Sequence, residues 1–158
     1  MIEIERKFLV KNNTYKKEAF KEIHIKQGFL SSDKNKIVRI RITDNQGFIT
    51  VKGPPSNNGI SRFEWEKEIS KTDAEALFNL CEEGRIEKTR YLINKGNHTF
   101  EVDEFYGANE GLIVAEIELN HVTELFIKPA WLDKEVTGDT KYYNSQLSKS
   151  PYKSWTKK

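Results

Sequence analysis

Apolar and polar residues alternate with period two through much of this chain, the pattern of strands that bury one face. The alternation runs over about residues 2–10, 23–30, 36–43, 47–53, 61–69, 86–94, 98–105 and 112–120, which predicts eight strands. Clusters of Asn, Gly, Pro, Ser and Asp separate them. Asp44-Asn45-Gln46-Gly47 and Asn94-Lys95-Gly96-Asn97 suit tight hairpins, because these residue types tolerate positive φ. Antiparallel neighbours follow. Helical spacing is confined to three stretches. Residues 72–83 set Ala74, Leu77, Phe78 and Cys81 on one side behind a Thr72/Glu75 capping box. Residues 14–22 group Tyr15, Ala19 and Phe20, and residues 140–148, with Asp139 as N-cap, place Tyr143 and Leu147 together. The run Gly53-Pro54-Pro55-Ser56-Asn57-Asn58-Gly59 predicts a mobile loop that either gates a site or joins two strands.

The polar positions of these strands carry paired charges. Glu3, Glu5 and Lys7 share one face of the first strand, and the same spacing recurs at Arg39 and Arg41, at Glu64, Glu66 and Glu68, and at Lys88 and Arg90. It recurs again at Glu101 and Asp103 and at Glu116 and Glu118. A merely solvated sheet face mixes Thr, Ser, Gln and Lys instead. If the sheet closes into a barrel, these positions point inward, and unpaired buried ions cost several kcal/mol each. A lumen holding water, metal and a charged ligand resolves the conflict. The outward apolar residues Ile2, Ile4, Ile40, Ile42, Phe63, Trp65, Val102, Ile117 and Leu119 then pack under the helices.

One ligand class satisfies both signs. Lys7, Arg39, Arg41, Lys52, Arg62, Lys88 and Arg90 suit a multiply charged anion, and the arginine fork matches phosphate oxygens. Glu3, Glu5, Glu64, Glu66, Glu101, Asp103, Glu116 and Glu118 would repel that anion unless they hold hard cations. Mg²⁺ and Mn²⁺ prefer oxygen ligands and bridge to phosphate, so a metal polyphosphate fits. Phosphoryl transfer in turn needs charge neutralisation, positioning and an activated water more than covalent help. The chain has no Gly-x-x-x-x-Gly-Lys loop, and His24, His98 and His121 lack metal-ligand spacing.

Composition narrows the reading. A chain of 158 residues predicts a single domain over 1–158, with 149–158 either a loose tail or a strap. The 26 Lys and Arg nearly cancel the 24 Asp and Glu to leave +2, so no generic nucleic-acid surface is expected. Cys81 is the only cysteine, which excludes an internal disulfide and favours a packed thiol. There is neither a signal-like segment nor an apolar run approaching the ~20 residues of a membrane span, so a cytoplasmic protein without a membrane partner is expected.

The segment Glu3-Ile4-Glu5-Arg6-Lys7 resembles the Glu-x-Glu-x-Lys signature of the triphosphate tunnel metalloenzymes, the CYTH superfamily. The resemblance continues in order through Gln27-Gly28-Phe29-Leu30, Arg39-Ile40-Arg41, Thr50-Val51-Lys52-Gly53, Ser61–Glu66, Lys88-Thr89-Arg90-Tyr91 and Glu101–Phe105. It extends through Gly111-Leu112, Ala115–Leu119 and Pro129–Thr137, and so spans about 2–147. What it implies is a mostly β, α+β fold: an eight-stranded antiparallel closed barrel, helices outside, and divalent-metal-dependent attack on a linear triphosphate. Small bacterial members of inorganic triphosphatase type are the most similar, which implies hydrolysis of inorganic tripolyphosphate to pyrophosphate and phosphate. The alternatives are a class IV-type adenylate cyclase, a thiamine or nucleoside triphosphatase, and a noncatalytic polyphosphate-binding module.

Carried over by position, Glu3, Glu5 and Glu118 would coordinate Mg²⁺ or Mn²⁺, with Glu116 and Asp103 assisting or holding a second ion. Lys7, Arg39, Arg41, Lys52, Arg62, Lys88 and Arg90 would cradle the phosphates, with Glu3, Glu5, Lys7 and Lys88 the catalytic set. Glu64, Glu66 and Glu101 would line the tunnel wall, as metal or water ligands or as partners of the arginines. Phe29 stands where the family often has Tyr.

Overall fold

The computed structural model describes residues 2–155. Among them are nine strands: β1 (Ile2–Val10), β2 (Lys21–Asp33), β3 (Lys36–Ile42), β4 (Gly47–Ser56), β5 (Ser61–Ile69), β6 (Ile86–Lys95), β7 (His98–Phe105), β8 (Ile113–Glu118) and β9 (Leu132–Glu135). They pair in the order β5-β4-β3-β2-β6-β7-β8-β1-β9, and an added β1–β5 pairing closes the first eight into a barrel. The closed eight-stranded antiparallel barrel that the resemblance implies is the observed fold. β9 is an addition that four residues, Leu132-Asp133-Lys134-Glu135, are too short to announce as a period.

The closing seam is shared. β5 pairs with Ile2–Ile4 of β1, and β9 pairs with the Phe8 and Val10 end of the same strand. Between them, Glu5 N donates to Ile60 O at 2.9 Å, Lys7 N to Thr137 Oγ1 at 2.9 Å, and Val136 N to Lys7 O at 2.8 Å. Loop backbone and the Thr137 hydroxyl thus complete the ladder where no strand reaches.

Among the described residues three short helices flank the barrel: α1 (Tyr15–Glu18), α2 (Lys71–Phe78) and α3 (Asn144–Leu147). α2 is capped by Ser70, whose Oγ accepts from Asp73 N at 3.0 Å, rather than by the Thr72/Glu75 box. Ser70 has the extended backbone that an N-cap needs, while Thr72 is already inside the helix. α1 is a single turn, because Ala19 leaves the helical region at ψ 132°, and Phe20 stays exposed. The 140–148 stretch divides into a 3₁₀ turn at Thr140–Tyr142, capped by Asp139, followed by α3. Among the described residues no helix is long and apolar enough to cross a membrane.

The core has three parts. Outside the barrel, Phe8, Tyr15, Tyr91, Ile93, Phe100, Val102, Ala115, Ile117 and Trp131 pack together on one flank. On the other, α2 covers Ile40, with Ala74, Leu77 and Phe78 against it, and the buried Cys81 thiol lies in the same cluster. Ile2, Phe63 and Trp65 remain exposed, because three helices of one or two turns cannot cover an eight-stranded wall. The third part lies inside the barrel. Leu9, Phe29, Ile37, Ile86, Phe105 and Val114 continue the inward rows of β1, β2, β3, β6, β7 and β8, and they pack against Val136, Tyr142, Leu147, Tyr152 and Trp155. The C-terminal segment therefore plugs one end with dry side chains, and the lumen is charged only beyond that plug. Within 149–155, Trp155 lies edge-on to Tyr142 at 5.4 Å and to Tyr152 at 5.1 Å; the last three residues of the tail lie outside the described set.

The seam loop depends on two glycines. Gly59 (φ 88°) and Gly138 (φ 80°) abut, and a Cβ on Gly138 would collide with the Asn58 carbonyl. Gly138→Ala combines that clash with left-handed strain, and is expected to cost about 1–3 kcal/mol. Equilibrium denaturation in urea measures it; an unchanged midpoint would show that the loop relaxes freely.

Candidate active site in the barrel lumen

Period-two geometry sends alternate residues of eight strands into one channel, and an eight-stranded barrel is just wide enough to hold side chains or one small ligand. Here both occur. Beyond the apolar plug lies a cavity of about 190 Å³ lined by Glu3, Glu5, Lys7, Arg39, Arg41, Lys52, Arg62, Glu64, Glu66, Lys88, Arg90, Glu101, Glu116 and Glu118. Every residue expected at the site except Asp103 lines it. Glu66 and Glu118 are exposed at the open mouth, whereas Lys7, Arg39, Lys88, Arg90 and Glu116 are buried deeper. Lys88 is the extreme case, with only 1% of its surface accessible. Charged residues are rarely buried to this degree unless paired, so their partners decide what the cavity can do.

Asp103 stands behind the wall rather than on it. Its Oδ1 accepts from Arg90 Nε at 2.8 Å, its Oδ2 accepts from Arg90 Nη2 at 2.9 Å, and Oδ2 forms an ion pair with Lys88 Nζ at 2.7 Å. Burial by itself would raise this carboxyl, but Arg90 and Lys88 outweigh it and bring its pKa down to about 2. Both oxygens face cations, so in this arrangement Asp103 braces Arg90 and Lys88. The cross-strand pair Arg90↔Asp103 dictates this, since directly opposed side chains on one face meet before either reaches the lumen.

The other cations divide by how fully they are engaged. Lys52 Nζ reaches Glu3 at 3.0 Å and Glu64 at 3.5 Å, and Lys7 Nζ lies 3.5 Å from Glu116. Arg62 donates through Nε and Nη2 to Gly53 O and through Nη2 to Lys34 O, so much of its fork is spent on backbone. Arg39 donates through Nη2 to Thr50 Oγ1 at 3.1 Å, but its buried Nε has no hydrogen-bond partner among the described residues. An orphaned buried donor on a cavity wall calls for an acceptor in the cavity.

Electrostatics shows a double shortage. Burial and the neighbouring Arg39 and Arg90 lower Arg41 to about 9, and burial together with Arg90 and Arg41 lowers Lys88 to about 7 despite Asp103. At Arg90 the burial that opposes its charge is outweighed by Asp103, Glu101 and Glu116, whereas around Arg41 and Lys88 this side of the lumen is short of negative charge. Across from it, burial, Glu116 and Glu3 push the Glu5 carboxyl well above the usual range. Burial and the carboxylates Glu3, Glu101 and Glu64 raise Glu118, and burial and Glu3 raise Glu64. On this second side the lumen lacks positive charge. Glu116 goes the other way: burial opposes ionisation, but Lys7 and Arg90 hold it well below the carboxylate range, and Glu5 hydrogen-bonds to it.

Among the described residues no three His, Cys, Asp or Glu side chains are already gathered into a metal cage. The donor set nonetheless fits a hard divalent cation. Glu5 and Glu118 are directly opposed on β1 and β8, Glu3 lies two residues along the same face, and Glu5 leans on a neighbour's charge through a proton. All the donors are carboxylate oxygens, the type that Mg²⁺ and Mn²⁺ select.

Three residues at the site have no counterpart in the charge pattern. Gln27 is fully buried and accepts from Arg41 Nε at 3.1 Å through Oε1. Asn144 Oδ1 accepts from Gln27 Nε2 at 2.7 Å and from Lys88 Nζ at 2.9 Å, and the Tyr143 ring centre lies 5.1 Å from Lys7 Nζ. Gln27 shares the inward parity of Phe29, so alternation carried a signal for it. Tyr143 and Asn144 belong to the plug, whose docking into the barrel no local period reveals.

The chain matches the CYTH domain family over residues 1–151. It is 49% identical over 154 residues to an inorganic triphosphatase of Acetivibrio thermocellus, with 97% of each chain covered. It is 36% identical over 154 residues to an inorganic triphosphatase of Nitrosomonas europaea, with 95% of this chain and 99% of that one covered. Among solved structures it is similar to the inorganic triphosphatase NE1496, with a TM-score of 0.64 at 32% identity and 92% and 96% of the two chains covered. With the closed barrel, the inward rows of charge and a match over nearly its whole length, this chain belongs to the CYTH domain family.

Proposed function

We propose that this protein is a divalent-metal-dependent triphosphatase that hydrolyses inorganic tripolyphosphate in the lumen. The observation that carries the reading is the double shortage of charge: underused cations with an orphaned Arg39 Nε on one side, and mutually repelling carboxylates on the other. A linear triphosphate with its cation supplies both deficits at once. Relatives at 49% and 36% identity that bear the name inorganic triphosphatase support the same substrate.

In this reading Glu3, Glu5 and Glu118 hold the Mg²⁺ or Mn²⁺, and Glu116 supports them from beside Lys7. The bound ion supplies Lewis acidity toward phosphoryl oxygens and lowers the pKa of water. Arg39, Arg41, Arg90 and Lys52 neutralise the phosphate chain, and Arg62 contributes from the seam. Asp103 orients Arg90 and Lys88. Lys88, whose pKa is lowered to about 7 by burial and by Arg90 and Arg41, is able to hold or release a proton at neutrality. Water oxygen bonds to a terminal phosphorus, one bridging P–O bond breaks, and pyrophosphate and phosphate leave. Glu64, Glu66 and Glu101 serve the wall: Glu64 pairs with Lys52, and Glu101 lies 3.3 Å from Arg90.

A substrate panel of tripolyphosphate, ATP and thiamine triphosphate with Mg²⁺ and Mn²⁺ tests this. Phosphate release is expected to be fastest from tripolyphosphate and absent without metal. Cyclic AMP formed from ATP would instead point to the cyclase alternative, and tight metal-independent binding without turnover would point to a binding module.

Proton linkage provides a second test. Without metal, a bound polyanion raises the pKa of Lys88 from about 7, so binding at about pH 8 takes up on the order of one proton. That part of the affinity is fully present below the free pKa and is lost as pH rises through the bound one. Calorimetry in buffers of different ionisation enthalpy measures the uptake, and proton release would contradict it.

A further inference from the structure

We propose that Asn144 is a positioning residue of this site: it orients Lys88 directly and Arg41 through Gln27, so that docking of the C-terminal segment sets the geometry of the phosphate cradle. The proposal rests on the reading of the lumen as a triphosphate site.

The hydrogen-bond chain has only one consistent direction. Arg41 is solely a donor, so Gln27 must turn its carbonyl Oε1 toward Arg41 Nε, at 3.1 Å, and its amide Nε2 toward Asn144. Lys88 is also solely a donor. Both Gln27 Nε2 and Lys88 Nζ therefore require Asn144 Oδ1, which they meet at 2.7 Å and 2.9 Å. Asp103 extends the chain on the far side of Lys88, and Arg90 completes it. Arg41–Gln27–Asn144–Lys88–Asp103–Arg90 is thus a continuous relay through three of the cradle's cations.

An ammonium has three N–H donors. Asn144 on α3 accepts one of them, Asp103 on β7 lies 2.7 Å from the nitrogen as an ion pair, and the Phe105 ring centre lies 5.4 Å away. With Asp103 alone, which Arg90 also shares, the distance of Lys88 is fixed but its direction is not. α3 can impose the direction because it is anchored: Leu147 is fully buried in the apolar plug with Ile86 and Phe105, and the Tyr142 backbone carbonyl lies 3.4 Å from Lys7 Nζ. Three consecutive residues, Tyr142, Tyr143 and Asn144, thereby touch two of the lysines that face the lumen.

Steady-state kinetics of two variants tests the role. Asn144→Ala leaves the Lys88 and Arg41 charges in place but unaligned, so kcat is expected to fall about 10–100-fold with KM changed by less than about threefold. Asn144→Asp keeps the shape and the acceptor oxygens but adds a carboxylate facing the substrate. It is expected to keep kcat within about threefold and to raise KM about tenfold or more. A merely structural residue would not split the two variants this way. An Asn144→Ala kcat within twofold of the parent overturns the proposal. So does a fall matched by an equal loss of tripolyphosphate-binding sites in calorimetry, since that is unfolding. Exchange of the Lys88 ammonium protons, followed by NMR at mildly acidic pH, needs no turnover: it is expected to be slow in the parent and fast in Asn144→Ala, and equal rates overturn the proposal. If the parent itself releases no phosphate from tripolyphosphate with either metal, the functional reading fails, while the exchange measurement still decides the role of Asn144.

Discussion

Glu5→Gln is expected to lower metal-stimulated tripolyphosphate turnover about 10²–10³-fold while leaving the barrel folded. The size follows from losing several kcal/mol of charge stabilisation at the cation. The intact fold follows from the state of Glu5 itself. Burial, Glu116 and Glu3 already hold its carboxyl toward the neutral acid, so a neutral amide of the same shape replaces it at little cost. Two measurements check this: phosphate release against Mg²⁺ concentration, and the melting midpoint with chelator and with metal. With chelator the two proteins are expected to melt together. With metal the parent gains stability by mass action and the variant gains less. Turnover and metal response equal to the parent's would remove Glu5 from the cation site.

Asp103→Ala is expected to be the most destabilising single change in the lumen, at about 3–5 kcal/mol. Breaking a buried ionic group by removing one partner strands the others, and here a single carboxylate serves both Arg90 and Lys88. Urea denaturation measures the loss. Tripolyphosphate is expected to restore part of it, because its oxygens would face the cations left without Asp103; the variant's melting shift with ligand therefore exceeds the parent's. In the parent, a folded pKa of about 2 against an ordinary 3.8 makes this contribution fully present above 3.8 and lost as pH falls through about 2. Equal stability of variant and parent would show that Glu116 and Glu101 suffice for Arg90.

Parity was legible from the chain alone. A period of two on Glu3-Glu5-Lys7, Arg39-Arg41 and Lys88-Arg90 assigns those side chains to one face, and a charged face that recurs on six strands is stable only around solvent, ions or ligand. Antiparallel order follows from the tight turns, and the membership of the lumen follows from parity once the barrel closes, a closure that the family resemblance implied. The same pattern placed Asp103 on the inward row of β7 but did not show what it does there. That depends on Arg90 lying directly opposite and Lys88 within reach, which is a matter of register between strands.

The apolar ends of the same rows were equally invisible in function. Leu9, Ile86 and Phe105 keep the inward parity of Lys7, Lys88 and Asp103, yet they form a dry plug because Leu147, Tyr142 and Trp155 arrive from the far end of the sequence. The exposure of Ile2, Phe63 and Trp65 is the complementary case, since helix coverage depends on where three short helices land. By itself, then, the sequence determined which residues face the lumen and that the lumen carries both signs, because side-chain parity is a local property of a strand. Only the tertiary structure decided which end is sealed, which charges neutralise each other and that Asn144 joins the site, because those facts depend on register and on contacts between separate segments, 13 positions apart for Arg90 and Asp103 and 117 for Gln27 and Asn144.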